Sequence, residues 1–128
     1  MNAQPAPSEK RRRALRYGFH AETLAALWLM AKGYRVLARR YSVKGGEIDL
    51  VVARGDTIAF VEVKARDDYE AAAYALVEGK LERIRRAARV WASRNGWAAR
   101  YTLRGDAVFI APWRLPRHAP GAYTLDFA

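Results

Sequence analysis

The sequence predicts an α/β domain: a mixed β-sheet with helices packed against it, in the order helix, three strands, helix, strand. Three observations carry this. The 128 residues suffice for one core and show neither an internal repeat nor a second domain. Residues 45–66 alternate with the period of two that marks paired strands. Two stretches that stop at Gly33 and Gly96 repeat apolar residues at helical spacing instead.

Residues 1–8 form a proline-bearing tail expected to be disordered, and 9–128 the single domain. Ser8 is placed to cap a helix that starts near Glu9 to Arg12 and ends near Lys32. In it Leu24, Leu27, Trp28 and Ala31 mark one apolar stripe. Gly18, Ala25, Ala26 and Leu29 lie three, four or seven residues from Glu22 and share its side. Glu22 is thus a carboxylate on a small-residue flank, either paired with a nearby arginine or reaching a functional site. Tyr34 to Val43 reads as the first strand and Lys44-Gly45-Gly46 as a turn. Two further strands follow, joined by a turn at Arg54-Gly55-Asp56-Thr57. Tyr69 to Asn95 is mainly helix, with Gly79 weakening its start. Val77, Leu81, Ile84, Ala88 and Trp91 form its buried stripe, and Arg83, Arg85, Arg86 and Arg89 occupy the rest. Tyr101 to Ala111 is a further strand, and Ala122 to Phe127 a last edge strand. Trp91, Trp97 and Trp113 read as core or core-edge residues, and Trp28 as packing.

The chemistry concentrates in the central hairpin. Asp49 interrupts the apolar run Ile48-Asp49-Leu50-Val51-Val52, and Glu62 and Lys64 interrupt Ile58-Ala59-Phe60-Val61-Glu62-Val63-Lys64. Charges in strands this apolar are costly unless paired or used. Alternation puts Phe60, Glu62 and Lys64 on one face. It puts Glu47, Asp49 and Val51 on one face of the preceding strand, opposite Ile48, Leu50 and Val52. If the two strands pair, Asp49 lies close to Glu62 and Lys64. Two adjacent carboxylates repel, and a divalent cation resolves the repulsion. Mg²⁺ or Mn²⁺ would take these two carboxylates, with the Val63 carbonyl as a further oxygen ligand. The ion would polarise a phosphoryl oxygen and acidify a water, and Lys64 would stabilise the developing negative charge. That set is what metal-dependent phosphodiester hydrolysis needs. The same residues also allow a plain cross-strand ion pair on a solvated sheet face.

Composition narrows the field. The absence of cysteine excludes thiol catalysis, disulfides and cysteine-ligated zinc. The only histidines, His20 and His118, cannot build a histidine-rich metal site and read as ordinary surface groups. A net charge of +10, from 23 Lys+Arg against 13 Asp+Glu, favours a polyanionic partner bound in a salt-sensitive way. Arg83, Arg85, Arg86 and Arg89 then read as a phosphate-binding surface, or else as a solvated helix face. No secretory signal is evident, and the longest apolar run, Leu24 to Ala31, falls short of the roughly 20 residues that span a bilayer. A cytoplasmic location is expected.

Gly46-Glu47-Ile48-Asp49-Leu50, followed by Phe60-Val61-Glu62-Val63-Lys64-Ala65-Arg66, resembles the signature of the YraN-like family of small bacterial proteins. That family is similar in turn to the PD-(D/E)XK nucleases and to archaeal Holliday-junction resolvases. The resemblance runs from about Gly18 to Asp106. It implies a restriction-endonuclease-like core of order αβββαβ. It also implies that Asp49 and Glu62 are the metal-binding acids, Lys64 the catalytic lysine and Glu22 the first-helix glutamate, a third acid at the metal. Glu47 belongs to the signature. The chain departs from the family pattern at Gly105, where an aromatic residue is common, and at Asp67-Asp68-Tyr69-Glu70, which replaces a glycine-containing loop. The expected function is a metal-dependent endonuclease acting on DNA, with branched or recombination intermediates as suggested substrates. A homodimer is attractive, since cutting two strands needs two sites. The alternatives are a non-catalytic nucleic-acid-binding module on the same fold, and a protein-interaction domain with a vestigial site.

Overall fold

β1 (Arg35–Val43), β2 (Gly46–Arg54), β3 (Thr57–Ala65), β4 (Thr102–Ile110) and β5 (Arg117–Tyr123) lie side by side in sequence order in one sheet. The computed structural model describes residues 20–66 and 78–127. The expected tail over 1–8, the start of the first helix with Gly18, the Asp67–Glu70 loop and the second helix before Glu78 lie outside them. Two helices are described, α1 over 20–31 and α2 (Glu78–Arg94). A short 3-10 turn (Gly96–Arg100) follows α2.

β1, β2 and β3 pair antiparallel in succession. β3 and β4 are parallel, Thr57 facing Thr102 through to Ala65 facing Ile110. Parallel neighbours need a long crossover, and the segment carrying α2 supplies it. β5 returns antiparallel to β4. The result is a mixed sheet with one helix on each face.

The two faces make two cores. Ile48, Val51, Ala53, Ile58 and Phe60 pack against Ile84, Ala87, Ala88 and Trp91 of α2. Leu50, Val52, Ala59, Val61 and Val108 pack against Ala21, Ala25, Ala26 and Leu29 of α1. β2 and β3 are covered on both sides, which is why they read as nearly unbroken apolar runs.

Three expectations are corrected here. The apolar stripe chosen for α1 faces outward: Leu24 and Leu27 are 50% and 56% exposed, while Ala21, Glu22, Ala25 and Leu29 are buried. Alanines bring the helix backbone close to the sheet, so the small-residue flank wins the contact. The last strand is β5, not Ala122 to Phe127. Pro120 and Gly121 sit inside it, tolerated because it is the sheet's edge. Trp113 stands fully exposed in the loop after β4 rather than at the core. Trp97 is half-exposed but meets Trp91 and Tyr101 edge-on.

Gly46 shows how tightly α2 lies on the sheet. A Cβ there would meet the Arg83 carbonyl oxygen at 2.4 Å and the Ala87 nitrogen at 3.0 Å. Among the described residues no helix is long and apolar enough to cross a membrane.

Candidate active site

The β2–β3 ladder runs from Arg54 facing Thr57 to Leu50 facing Val61. Beyond that pair the strands part, and a side chain takes over from the backbone. Asp49 Oδ2 accepts the Val63 N–H at 2.7 Å. Side-chain alternation also slips at this level. Ile48 joins the α2-side core and Leu50 the α1-side core, although they are two residues apart. On β1 the residue opposite Asp49 is Arg40, whose φ is +50. Strict alternation placed Ile48 with Leu50, so that part of the sequence reading is corrected. The pairing of faces for Phe60, Glu62 and Lys64 is as expected.

Asp49, Glu62 and Lys64 meet in the notch this opens. Lys64 Nζ lies 2.8 Å from Glu62 Oε1, with the two side chains 3% and 4% exposed. Burial, then the neighbouring Glu62 charge, push the Asp49 carboxyl up to about 7, against the pull of the Val63 N–H and Lys64. Burial likewise lowers the Lys64 ammonium below its ordinary value, with Glu62 opposing and a second lysine reinforcing. That second lysine is Lys80, in the first turn of α2, 3.3 Å from the same Glu62 oxygen. Burial would lower Lys80, but contact with Lys64 and the charge of Glu62 outweigh it and hold the ammonium above its usual range. Sequence reading missed Lys80. The signal was present: it stands three residues after Val77 and four before Ile84, on the packed side of its helix.

β5 braces the site from behind. Tyr123 is buried, and its hydroxyl donates to the Phe60 carbonyl at 2.7 Å, across β4. Gly105 makes this possible, because a Cβ there would sit 2.6 Å from the Tyr123 ring. The Tyr123 ring thus fills the space over Gly105. Burial first, then the charges of Glu62, Asp106 and Asp49, hold the Tyr123 hydroxyl protonated well above its ordinary range.

On the α1 side Asp106 is fully buried. It accepts from Arg104 Nε at 2.7 Å and Nη2 at 2.9 Å, from His118 Nε2 at 2.8 Å and from the Gly121 N–H at 3.0 Å. Burial alone would raise its carboxyl, but the bonds from His118, Arg104 and Gly121 together hold it below the usual value. Lys32 Nζ lies 2.7 Å from His118 Nδ1; an ammonium only donates, so Nδ1 accepts and Nε2 carries the hydrogen toward Asp106. With its side chain 2% exposed, His118 is not the surface group expected. Asp106 carried the same signal as Asp49, a charge inside an apolar strand.

The remaining candidates fall elsewhere. Glu22 is buried, and each oxygen has a guanidinium: Arg39 Nε at 3.0 Å on Oε1 and Arg40 Nε at 2.5 Å on Oε2. The structure thus gives Glu22 two arginine partners, one of the two alternatives read from the sequence. Glu47 is exposed, opposite Ser42. Arg83, Arg86 and Arg89 are exposed on α2. Arg85 is not part of that surface. Its side chain is 6% exposed, donates to the Thr124 carbonyl at 2.6 Å and pairs with Glu82 and Asp126. The cause is helical phase: Arg85 follows Ile84 on the buried flank. Apart from these groups, an apolar cleft of about 520 Å³ lies between α1 and the loop after β4, lined by Leu24, Ile110, Trp113 and Leu115 among others.

Comparison with known proteins places the chain. Residues 21–110 match the profile described as "Uncharacterised protein family UPF0102". The chain belongs to the UPF0102 family. It is 57% identical over 120 residues to a UPF0102 protein of Methylorubrum extorquens, covering 94% of each chain. It is 52% identical over 120 residues to one of Methylocella silvestris, covering 94% of this chain and 97% of the relative. A UPF0102 protein of Rhizobium meliloti is 47% identical over 117 residues, covering 91% and 96%. The UPF0102 match spans Asp49, Glu62, Lys64 and Lys80, whereas His118 and Tyr123 lie beyond it.

Proposed function

We propose that the protein is a Mg²⁺- or Mn²⁺-dependent endonuclease with a restriction-endonuclease-like core, hydrolysing phosphodiester bonds in DNA. Branched or recombination intermediates are the suggested substrates. One observation carries the reading: two carboxylates and a buried lysine converge where β2 and β3 part, one carboxyl pushed up to about 7.

The donor set suits a hard divalent cation. Among the described residues no group of three or more His, Cys, Asp and Glu gathers. Two carboxylates that share space uneasily remain, and Mg²⁺ commonly takes one or two carboxylates, waters and substrate phosphate. Asp49 and Glu62 would hold the ion, with the Val63 carbonyl as the third protein oxygen. When bound, the ion supplies Lewis-acid polarisation of the phosphate and a more acidic water. Lys64 has little freedom, since its side chain is buried against Glu62. It therefore presents a fixed positive charge to a phosphoryl oxygen without reorganising, which is where such charge contributes most. The Tyr123 bond to Phe60 holds β3 rigid two residues from Glu62. A net charge of +10 and exposed Arg83, Arg86 and Arg89 favour approach of a polyanion.

The test is incubation with single-stranded, duplex and four-way-junction DNA, with and without Mg²⁺ or Mn²⁺. Cleavage is expected only with metal and is expected to fall at least about 100-fold in Asp49→Ala and Glu62→Ala. Cleavage that persists in both variants, or none on any substrate, sinks the hydrolytic reading. One observation favours a second reading, a non-catalytic nucleic-acid-binding module. Glu62 Oε1 already carries two lysines. This reading expects salt-sensitive binding that survives Asp49→Ala, with no metal-dependent turnover.

A further inference from the structure

We infer that Lys80 is a phosphate-binding residue of this site: its ammonium rests on Glu62 in the free protein and moves to a non-bridging phosphate oxygen when a nucleic-acid strand enters. The inference rests on the nucleic-acid reading above and goes beyond the aspartate, glutamate and lysine of the hairpin. Two ammonium groups share one carboxylate oxygen, and they are unequal. Lys64 sits at 2.8 Å and is buried, so it satisfies Glu62 and has nowhere to go. Lys80 sits at 3.3 Å with a side chain 41% exposed. Glu62 holds the Lys80 ammonium, but the carboxylate is shared with Lys64 and the Lys80 side chain is open to solvent, so a phosphate oxygen can take over that contact. Its four-carbon stem lets the charge swing into the notch at small cost.

The position of Lys80 on α2 agrees. Arg83 and Arg86 follow at steps of three residues, both exposed, in a row of neighbours along one helix face. Each step advances about 4.5 Å along the axis. Arg86 reaches the turn at Gly45, where a Cβ would lie 2.7 Å from its Nη1. The row thus leads from the acid cluster to the β1–β2 turn, and Lys80 is its member at the chemistry. A backbone phosphate held there would be shared between a fixed lysine from β3 and a mobile one from α2.

The experiment is a salt series of binding to a fluorescent DNA strand in EDTA, for the unmutated protein, Lys80→Gln and Lys80→Arg. Lys80→Gln is expected to bind several-fold more weakly and to lose roughly 0.7 from the slope of log affinity against log salt, the value for one phosphate contact on a single strand. Lys80→Arg is expected to keep both. In the unmutated protein, bound DNA is expected to shield Lys80 from acetylation, a readout that does not depend on any variant folding. If DNA binds yet Lys80→Gln keeps its affinity and slope, or Lys80 stays equally reactive, Lys80 is only a counter-charge for Glu62. If the unmutated protein binds no nucleic acid, the functional reading falls and Lys80 falls with it.

Discussion

Asp49 is held in a place that suits a neutral carboxyl better than a charged one. Its folded value of about 7 lies above the ordinary 3.8, so the folded chain binds a proton that the unfolded chain does not between those limits. Stability therefore rises as the pH falls from about 7 toward 4, and the charge is a burden above 7. In EDTA at pH 8, Asp49→Asn is expected to be more stable than the unmutated protein by on the order of 1–3 kcal/mol. The gap should narrow as the pH falls below 7 and close near pH 4 in urea melts, and parallel profiles would refute the buried, crowded carboxyl. Asp106 behaves oppositely. Its carboxyl is held below the ordinary value, so its contribution is present above the usual carboxylate range and is lost as the pH falls through the folded value. Asp106→Asn strands Arg104 and His118 and is expected to cost about 3 kcal/mol at pH 7, with a flatter acid limb, by the same melts. Asp49, Glu62 and Lys64 were legible because a charge in an apolar strand announces a cost. The place of Lys80 on the packed side of its helix was also readable, but its pairing with Glu62, like that of Tyr123 with Phe60, joins distant stretches of chain that only the fold brings near.

At the level of elements, two glycines separate close approach from mere permissiveness. Gly46→Ala drives a methyl into the α2 backbone and is expected to cost about 1–3 kcal/mol. Gly79, in the first turn of α2, meets nothing within 4 Å of a built Cβ, and Gly79→Ala is expected to gain roughly 0.5–1 kcal/mol from helix propensity. Thermal melts of the two variants should move in opposite directions; a harmless Gly46→Ala would mean α2 is not seated as described. β1 to β4 fall within a residue or two of their sequence ranges, because alternation and turn glycines mark them directly. The buried side of α1 was inverted, since leucines outrank alanines in apolar content while alanines permit the closer contact. β5 is displaced from the expected edge strand because Pro120 and Gly121 read as a break, although an edge strand tolerates both.

For the whole molecule, the charge of +10 is not one undivided surface. Arg85 is structural and Arg83, Arg86 and Arg89 are not buried, so these four arginines should divide by assay. Arg85→Gln is expected to lower stability by about 1–2 kcal/mol through the lost bond to the Thr124 carbonyl, since Glu82 and Asp126 face solvent. The triple change of Arg83, Arg86 and Arg89 to Gln should leave melting nearly unchanged and flatten the salt dependence of DNA binding by roughly 2 units of slope. A triple variant that binds as before would move the interface away from α2. The bond from Tyr123 to Phe60 spans a separation of 63 residues. On the ribosome, the hairpin with Glu62 and Lys64 emerges well before the tyrosine that locks it. Such long-range closure slows folding, so the acid–lysine notch is among the last features to become rigid, and a nascent chain halted short of that tyrosine would hold Glu62 and Lys64 on an unbraced strand.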